Sequence, residues 1–143
     1  MYRLQTEHCF DAAHFLPNYE GKCHNIHGHH WRVVLEIQGR QLQTDRQQDG
    51  MLVDFSSLKH DLRETVDEMD HTMIIQRGSL PAALCDALRA QDFSLTEVDF
   101  RPTAENFAKY FYDTLTAMGY PVYRCSVYET PVNCAQYFGE DDA

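Results

Sequence analysis

The sequence predicts an α+β domain: an antiparallel sheet with its helices on one face, in the order β-β-α-α-β-β. Three observations predict it. Both ends of the chain alternate in polarity with a period of two. The middle holds stretches with helical spacing of apolar residues. No internal repeat or low-complexity tract interrupts the chain, and 143 residues fit one domain, 1–143, able to bury a core without disulfide staples.

The elements follow in order. From Met1 to about Phe10, Tyr2, Leu4, Thr6, His8 and Phe10 share one parity, and Ala12 and His14 continue it. Pro17 to Gly21 reads as a loop. Trp31, Val33, Leu35 and Ile37 alternate with Arg32, Glu36 and Gln38 as a half-buried second strand. The polar run from Gln41 to Gly50 turns the chain, and Met51, Leu52 and Val53 are expected to pair back as a short strand. Ser56 is the expected N-cap of a helix to about Asp67, with Leu58, Leu62, Val66 and Met69 on its apolar side. Residues 81–91 suit a short helix. Thr103 caps the second main helix, whose stripe is Phe107, Tyr110, Phe111, Leu115 and Met118, and Gly119 ends it. Tyr123, Cys125, Val127 and Glu129 share a parity in a third long strand, and a last strand runs near Cys134 to Phe138.

The net charge of −10 argues against a nucleic-acid binder, which needs a basic footprint, and against an anionic membrane surface as partner. No apolar run approaches the ~18 residues of a membrane span. The first residues lack the apolar stretch of a signal peptide. The odd count of five cysteines, without framework spacing, suits a reducing cytoplasm.

The densest chemistry is Lys22-Cys23-His24-Asn25-Ile26-His27-Gly28-His29-His30. His27 and His29 sit two apart at the start of the second strand and share the parity of Trp31 and Val33, so both should face inward. Gly28 leaves the other face open to close backbone approach. His14 lies where an antiparallel pairing of the first two strands would bring it to the same face. Three imidazoles with an open fourth position form a catalytic rather than a structural Zn²⁺ pattern. His30 points the other way. His8, His24 and His60 read as ordinary histidines, and Cys9, Cys85, Cys125 and Cys134 as inert thiols. Cys23 could be a fourth ligand, a nucleophile or base, or an inert thiol. Adjacent Lys22 and a nearby dication would favour its thiolate. Asp70-His71 could be a carboxylate orienting an imidazole, or ordinary helix-end residues. Glu129 places an acid on an apolar parity, where two parallel N–H donors of a ligand would satisfy it.

These residues, taken together, resemble the family of 6-pyruvoyltetrahydropterin and 6-carboxytetrahydropterin synthases. The matching segments are Phe10-Asp11-Ala12-Ala13-His14, Lys22-Cys23 to His27-Gly28-His29, Met51-Leu52-Val53-Asp54-Phe55 to Leu58-Lys59, Asp70-His71, Pro102-Thr103-Ala104-Glu105-Asn106 and Val127-Tyr128-Glu129-Thr130. They fall in the family's order and cover most of the chain. The resemblance implies a tunnelling fold, in which three protomers join their sheets into a barrel and two rings stack into a homo-hexamer. It implies Zn²⁺ on His14, His27 and His29, a catalytic trio of Cys23, Asp70 and His71, Glu129 as anchor of the pterin ring, and Thr103 in the segment lining the pterin pocket.

The three residues between Cys23 and His27 resemble the bacterial 6-carboxytetrahydropterin synthases of queuosine biosynthesis. Pyruvoyl enzymes typically have a longer interval, and a third branch has Glu in place of the Cys. The implied reaction converts 7,8-dihydroneopterin triphosphate to 6-carboxy-5,6,7,8-tetrahydropterin, acetaldehyde and triphosphate. Its rivals are the pyruvoyl activity on the same substrate and a non-catalytic zinc-binding module. Two departures stand out: Ile75-Gln76 replaces the usual Leu-Asn after Asp-His, and the segment at about 76–101 is longer than usual.

Overall fold

The computed structural model describes residues 1–140; residues 141–143 of the expected domain lie outside the described residues. The chain opens with a long hairpin. Strand β1 (Tyr2–His14) pairs antiparallel with β2 (His27–Gly39) from Tyr2↔Gly39 to His14↔His27 without a bulge. Helix α1 (Phe55–Asp67) follows, then β3 (Thr72–Gln76), α2 (Ala82–Ala90), β4 (Leu95–Val98), α3 (Ala104–Ala117), β5 (Val122–Thr130) and β6 (Asn133–Tyr137). The strands form one six-stranded sheet, ordered β4-β3-β1-β2-β5-β6, curled into a half-barrel.

The α+β class holds, with four corrections. First, the sheet is mixed: β3 runs parallel to both β1 and β4. These two strands are only five and four residues long. Each forms because a neighbour's backbone awaits it, a non-local cause that periodicity does not register. Second, the helices occupy both faces. Core residues of α1 and α3 cluster with Ile74 of β3, whereas Cys85 of α2 clusters with Ile75. Adjacent strand residues face opposite ways, so α2 covers the other side. Third, Met51–Val53 form no strand. The Met51 carbonyl accepts from Gln43 N (2.8 Å), closing the loop on itself, while Leu52 is buried in the core. Fourth, the α1 N-cap is Asp54, whose Oδ1 accepts from Ser56 N at 2.7 Å. An Asp two residues earlier reaches the free first-turn N–H that a Ser at position 56 cannot.

Thr103 caps α3 as expected, accepting from Asn106 N at 3.2 Å, and Gly119 takes the left-handed conformation beyond its end (φ 100°). Met118 leaves the predicted stripe and is exposed, because the helix ends just before it. The core centres on Trp31, stacked on Phe10 (5.8 Å) and met edge-on by Phe107 (5.0 Å). Truncating one of these rings to Ala would cost about 3–5 kcal/mol. This dense floor carries the site at its rim.

Candidate metal centre

The ladder register builds the site. His14 stands directly opposite His27, and His29 stands opposite Ala12, a small residue that leaves its ring room. All three side chains share the Trp31 face. Ring centroids lie 4.6 Å (His14–His27), 4.9 Å (His27–His29) and 5.3 Å (His14–His29) apart, and Trp31 meets both His14 and His29 edge-on. One nitrogen from each ring lies within 4.8 Å of the others.

Hydrogen bonds fix which nitrogens face the centre. His14 Nδ1 donates to the Pro102 carbonyl and His27 Nδ1 to the Asn25 carbonyl, each at 2.7 Å. Both rings therefore carry their proton on Nδ1 and turn a bare Nε2 inward. Those two Nε2 atoms face each other at 3.0 Å. Two lone pairs that close repel unless a cation lies between them. His29 Nε2 is buried without a hydrogen-bond partner. Burial pushes the His14 imidazole down to about 4, against the Pro102 hydrogen bond, with His27 and His29 adding to the fall. Burial likewise lowers His29, opposed by Glu129. Neutral imidazoles with inward lone pairs are ready ligands for a borderline-soft dication such as Zn²⁺.

The other predicted residues fall around this centre unevenly. Cys23 sits on a 3₁₀ turn (Lys22–His24) in the β1–β2 loop, partly buried, and is not among the clustered ligand atoms. Glu129 lies on β5 where the β5–β6 register shifts, with its Oε1 3.6 Å from His29 Nε2. It also borders a 440 Å³ cavity with Glu105 and Gln136. The Thr103 hydroxyl accepts from the α3 backbone.

Asp70 and His71 come together with Asp11 instead of with the three imidazoles. Asp11 N donates to Asp70 Oδ1 (2.9 Å), and the Asp11 carbonyl accepts from His71 N (2.7 Å). His71 holds a left-handed backbone, φ 55°. Its Nε2 is 3.9 Å from Asp70 Oδ2. Both residues lie on the side of the sheet facing away from Trp31. His71 lines a 680 Å³ cavity there with Asp11, His30, Met73, Leu88 and Phe93. His30 points to this side as expected, pairing with Asp11 at 2.7 Å.

Gly28 needs no special explanation, because a Cβ there would make only ordinary contact with the Ala12 carbonyl at 3.5 Å. Residue types also conceal the carbonyls of Pro102 and Asn25, which orient two of the imidazoles. Main-chain acceptors leave no trace in composition. The adjacency of Pro102 to the Thr103 cap was the available signal.

Fold and site together define an α+β protein with a three-histidine pocket able to hold a metal. A family model described as 6-pyruvoyl tetrahydropterin synthase matches residues 3–140. The 6-carboxy-5,6,7,8-tetrahydropterin synthase of Haemophilus influenzae is 33% identical, over 96% of this chain and 99% of its own. The Synechocystis protein of that name is 32% identical, over 96% and 94%. Among solved structures, Plasmodium vivax 6-pyruvoyltetrahydropterin synthase superposes with a TM-score of 0.72, at 20% identity over 95% of this chain and 96% of that one. The Caenorhabditis elegans enzyme gives 0.68, at 23% over 97% and 96%. The chain belongs to the 6-pyruvoyl tetrahydropterin synthase family.

Proposed function

We propose that this protein is a zinc-dependent 6-carboxytetrahydropterin synthase of queuosine biosynthesis, acting on 7,8-dihydroneopterin triphosphate in the cytoplasm. The observation that carries the zinc site is the pair of unprotonated Nε2 atoms facing each other at 3.0 Å. The near full-length likeness to two proteins named 6-carboxy-5,6,7,8-tetrahydropterin synthase supports the product, as does the three-residue interval between Cys23 and His27.

His14, His27 and His29 would hold the metal, which when bound supplies Lewis-acid polarisation of the substrate's side-chain oxygens. The Cys23 thiolate removes a proton from the carbon beside the pterin ring. Glu129 accepts two N–H bonds from the guanidine-like edge of the pterin, and its place beside His29 sets that ring next to the metal centre. His71, oriented by Asp70, returns protons, and triphosphate leaves. Asp70 and His71 lie across the sheet from the three imidazoles of their own chain. The relay must therefore come from a neighbouring copy. This fits a homo-hexamer of two stacked trimers, in which sheet edges pair between protomers.

Incubation of the zinc-loaded protein with 7,8-dihydroneopterin triphosphate tests the reading. It predicts 6-carboxy-5,6,7,8-tetrahydropterin with acetaldehyde. A 6-pyruvoyl product would move the chain to the other branch of the family, and no turnover would favour a zinc-binding module. Mixing Cys23→Ala with His71→Ala subunits should recover activity that neither has alone. Failure to recover it would sink the shared site.

A further inference from the structure

The loop between β1 and β2, residues 15–26, carries Cys23 and has few ties to the rest of the molecule. Its base is closed by its own backbone, Leu16 N to the Cys23 carbonyl at 2.9 Å. Its end is held by His27, the first residue of β2, through the Asn25 carbonyl. Among the described residues, one side chain from beyond the hairpin hydrogen-bonds this loop: Arg101, whose guanidinium donates to the Pro17 carbonyl at 3.0 Å. The same guanidinium lies 5.6 Å from the centre of the Tyr19 ring. That ring in turn rests against Gly21, where an added Cβ would come within 2.7 Å of Tyr19 Cε1. Contacts thus run from Arg101 through Pro17, Tyr19 and Gly21 to the turn that bears Cys23.

Arg101 is itself firmly seated. Its carbonyl accepts from Thr103 N (2.7 Å) and Asn106 Nδ2 (2.9 Å) at the start of α3. The next residue, Pro102, supplies the carbonyl that orients His14. A single dipeptide therefore grips the metal pocket by its backbone and the Cys23 loop by a side chain. Arg101 forms no ion pair among the described residues, and its Nε is buried without a partner. An arginine serving stability alone would be expected to complete its hydrogen bonds, since an unmet buried donor is destabilising. The planar fork that can both donate and stack is a property Lys lacks.

We propose that Arg101 is a positioning residue that latches the Cys23 loop in register with the three-histidine pocket. The inference deepens the reading of Cys23 as the proton-abstracting group and rests on it. Two variants test it, Arg101→Ala and Arg101→Lys, each assayed for zinc content, melting temperature, kcat, KM and the rate at which iodoacetamide alkylates Cys23, read by peptide mass spectrometry. Arg101→Ala should keep its zinc, because the Pro102 carbonyl is untouched. Its kcat should fall by about 10²-fold, the scale of a small misplacement near reacting atoms, with KM little changed. Cys23 should be alkylated several-fold faster as the loop comes free. Guanidinium ion at low millimolar concentration should restore part of both, a rescue that a general packing defect would not show. Arg101→Lys should shift both readouts less, in the same direction, and keeps the test open if Arg101→Ala folds poorly. Wild-type kcat and Cys23 reactivity in both variants would overturn the latch. So would a fall in kcat with Cys23 reactivity unchanged, or a loss of zinc. If Arg101→Ala frees the thiol but Cys23→Ala turns over normally, the latch stands and the role given to Cys23 fails.

Discussion

The β1–β2 hairpin carries histidines on both faces, and the faces treat them differently. On the inner face His14 is 1% exposed, lies against Trp31 and two other imidazoles, and gives its Nδ1 proton to a carbonyl. Burial and neighbouring rings make its charged form costly. On the outer face, the side chains of His30 and its partner Asp11 are 68% and 56% exposed, and that of His71 is 79% exposed. A buried imidazole whose proton is engaged can offer only a lone pair, which suits a metal. An exposed imidazole beside a carboxylate and open to water can take up and release protons, which suits a relay. One hairpin thus supports two chemistries through the packing on each side.

The largest effect should come from breaking the inner face. His27→Ala should lose zinc and activity together, since two imidazoles rarely hold Zn²⁺ tightly. Metal analysis and turnover on one preparation check this, and a metal-replete, active variant would dissolve the distinction between the faces. Next in size, Cys23→Ala should keep its zinc while its rate drops about 10²–10⁴-fold, the usual scale for a positioned acid or base. Zinc loss from a folded Cys23→Ala protein would instead make the thiolate a ligand. Asp70→Asn should also keep zinc and slow turnover, through the lost orientation of His71. Smaller still, Glu129→Gln should weaken pterin binding by about 1–3 kcal/mol, because an amide presents a donor where an acceptor is needed. Isothermal titration with a non-reacting pterin measures that loss. The smallest effect belongs to the outer face: His30→Ala should cost about 0–1 kcal/mol of stability, as exposed ion pairs do. A large fall in melting temperature would show that this face is less forgiving than its exposure implies.

The inner face could be read from the sequence because its cause is local. The parity shared by His27, His29 and Trp31 fixes their side, and a hairpin return brings His14 opposite. The outer face was harder. Asp70 and His71 are recognisable as residues, but their place depends on β3 pairing in parallel with β1 at Ala12↔Thr72, a contact between distant segments. The helix α2 was visible through Leu84 and Leu88, yet nothing in its spacing tells which side of the sheet it covers. The cap shows the limit at finest grain: Asp54 and Ser56 are both good capping residues, and only the backbone path into the helix chooses between them.

The unbroken ladder from Tyr2↔Gly39 to His14↔His27 has a consequence for how such chains can change. Inserting one residue inside either strand would send every side chain beyond it to the opposite side of the sheet, scattering the three imidazoles. Inserting one between Phe15 and Ile26 would leave the ladder untouched and alter only the reach of the segment bearing Cys23. The metal pocket is therefore insulated from length variation that retunes the reactive thiol. Chemistry and metal binding can drift apart in evolution, one residue of loop at a time, while the scaffold that holds the ion stays fixed.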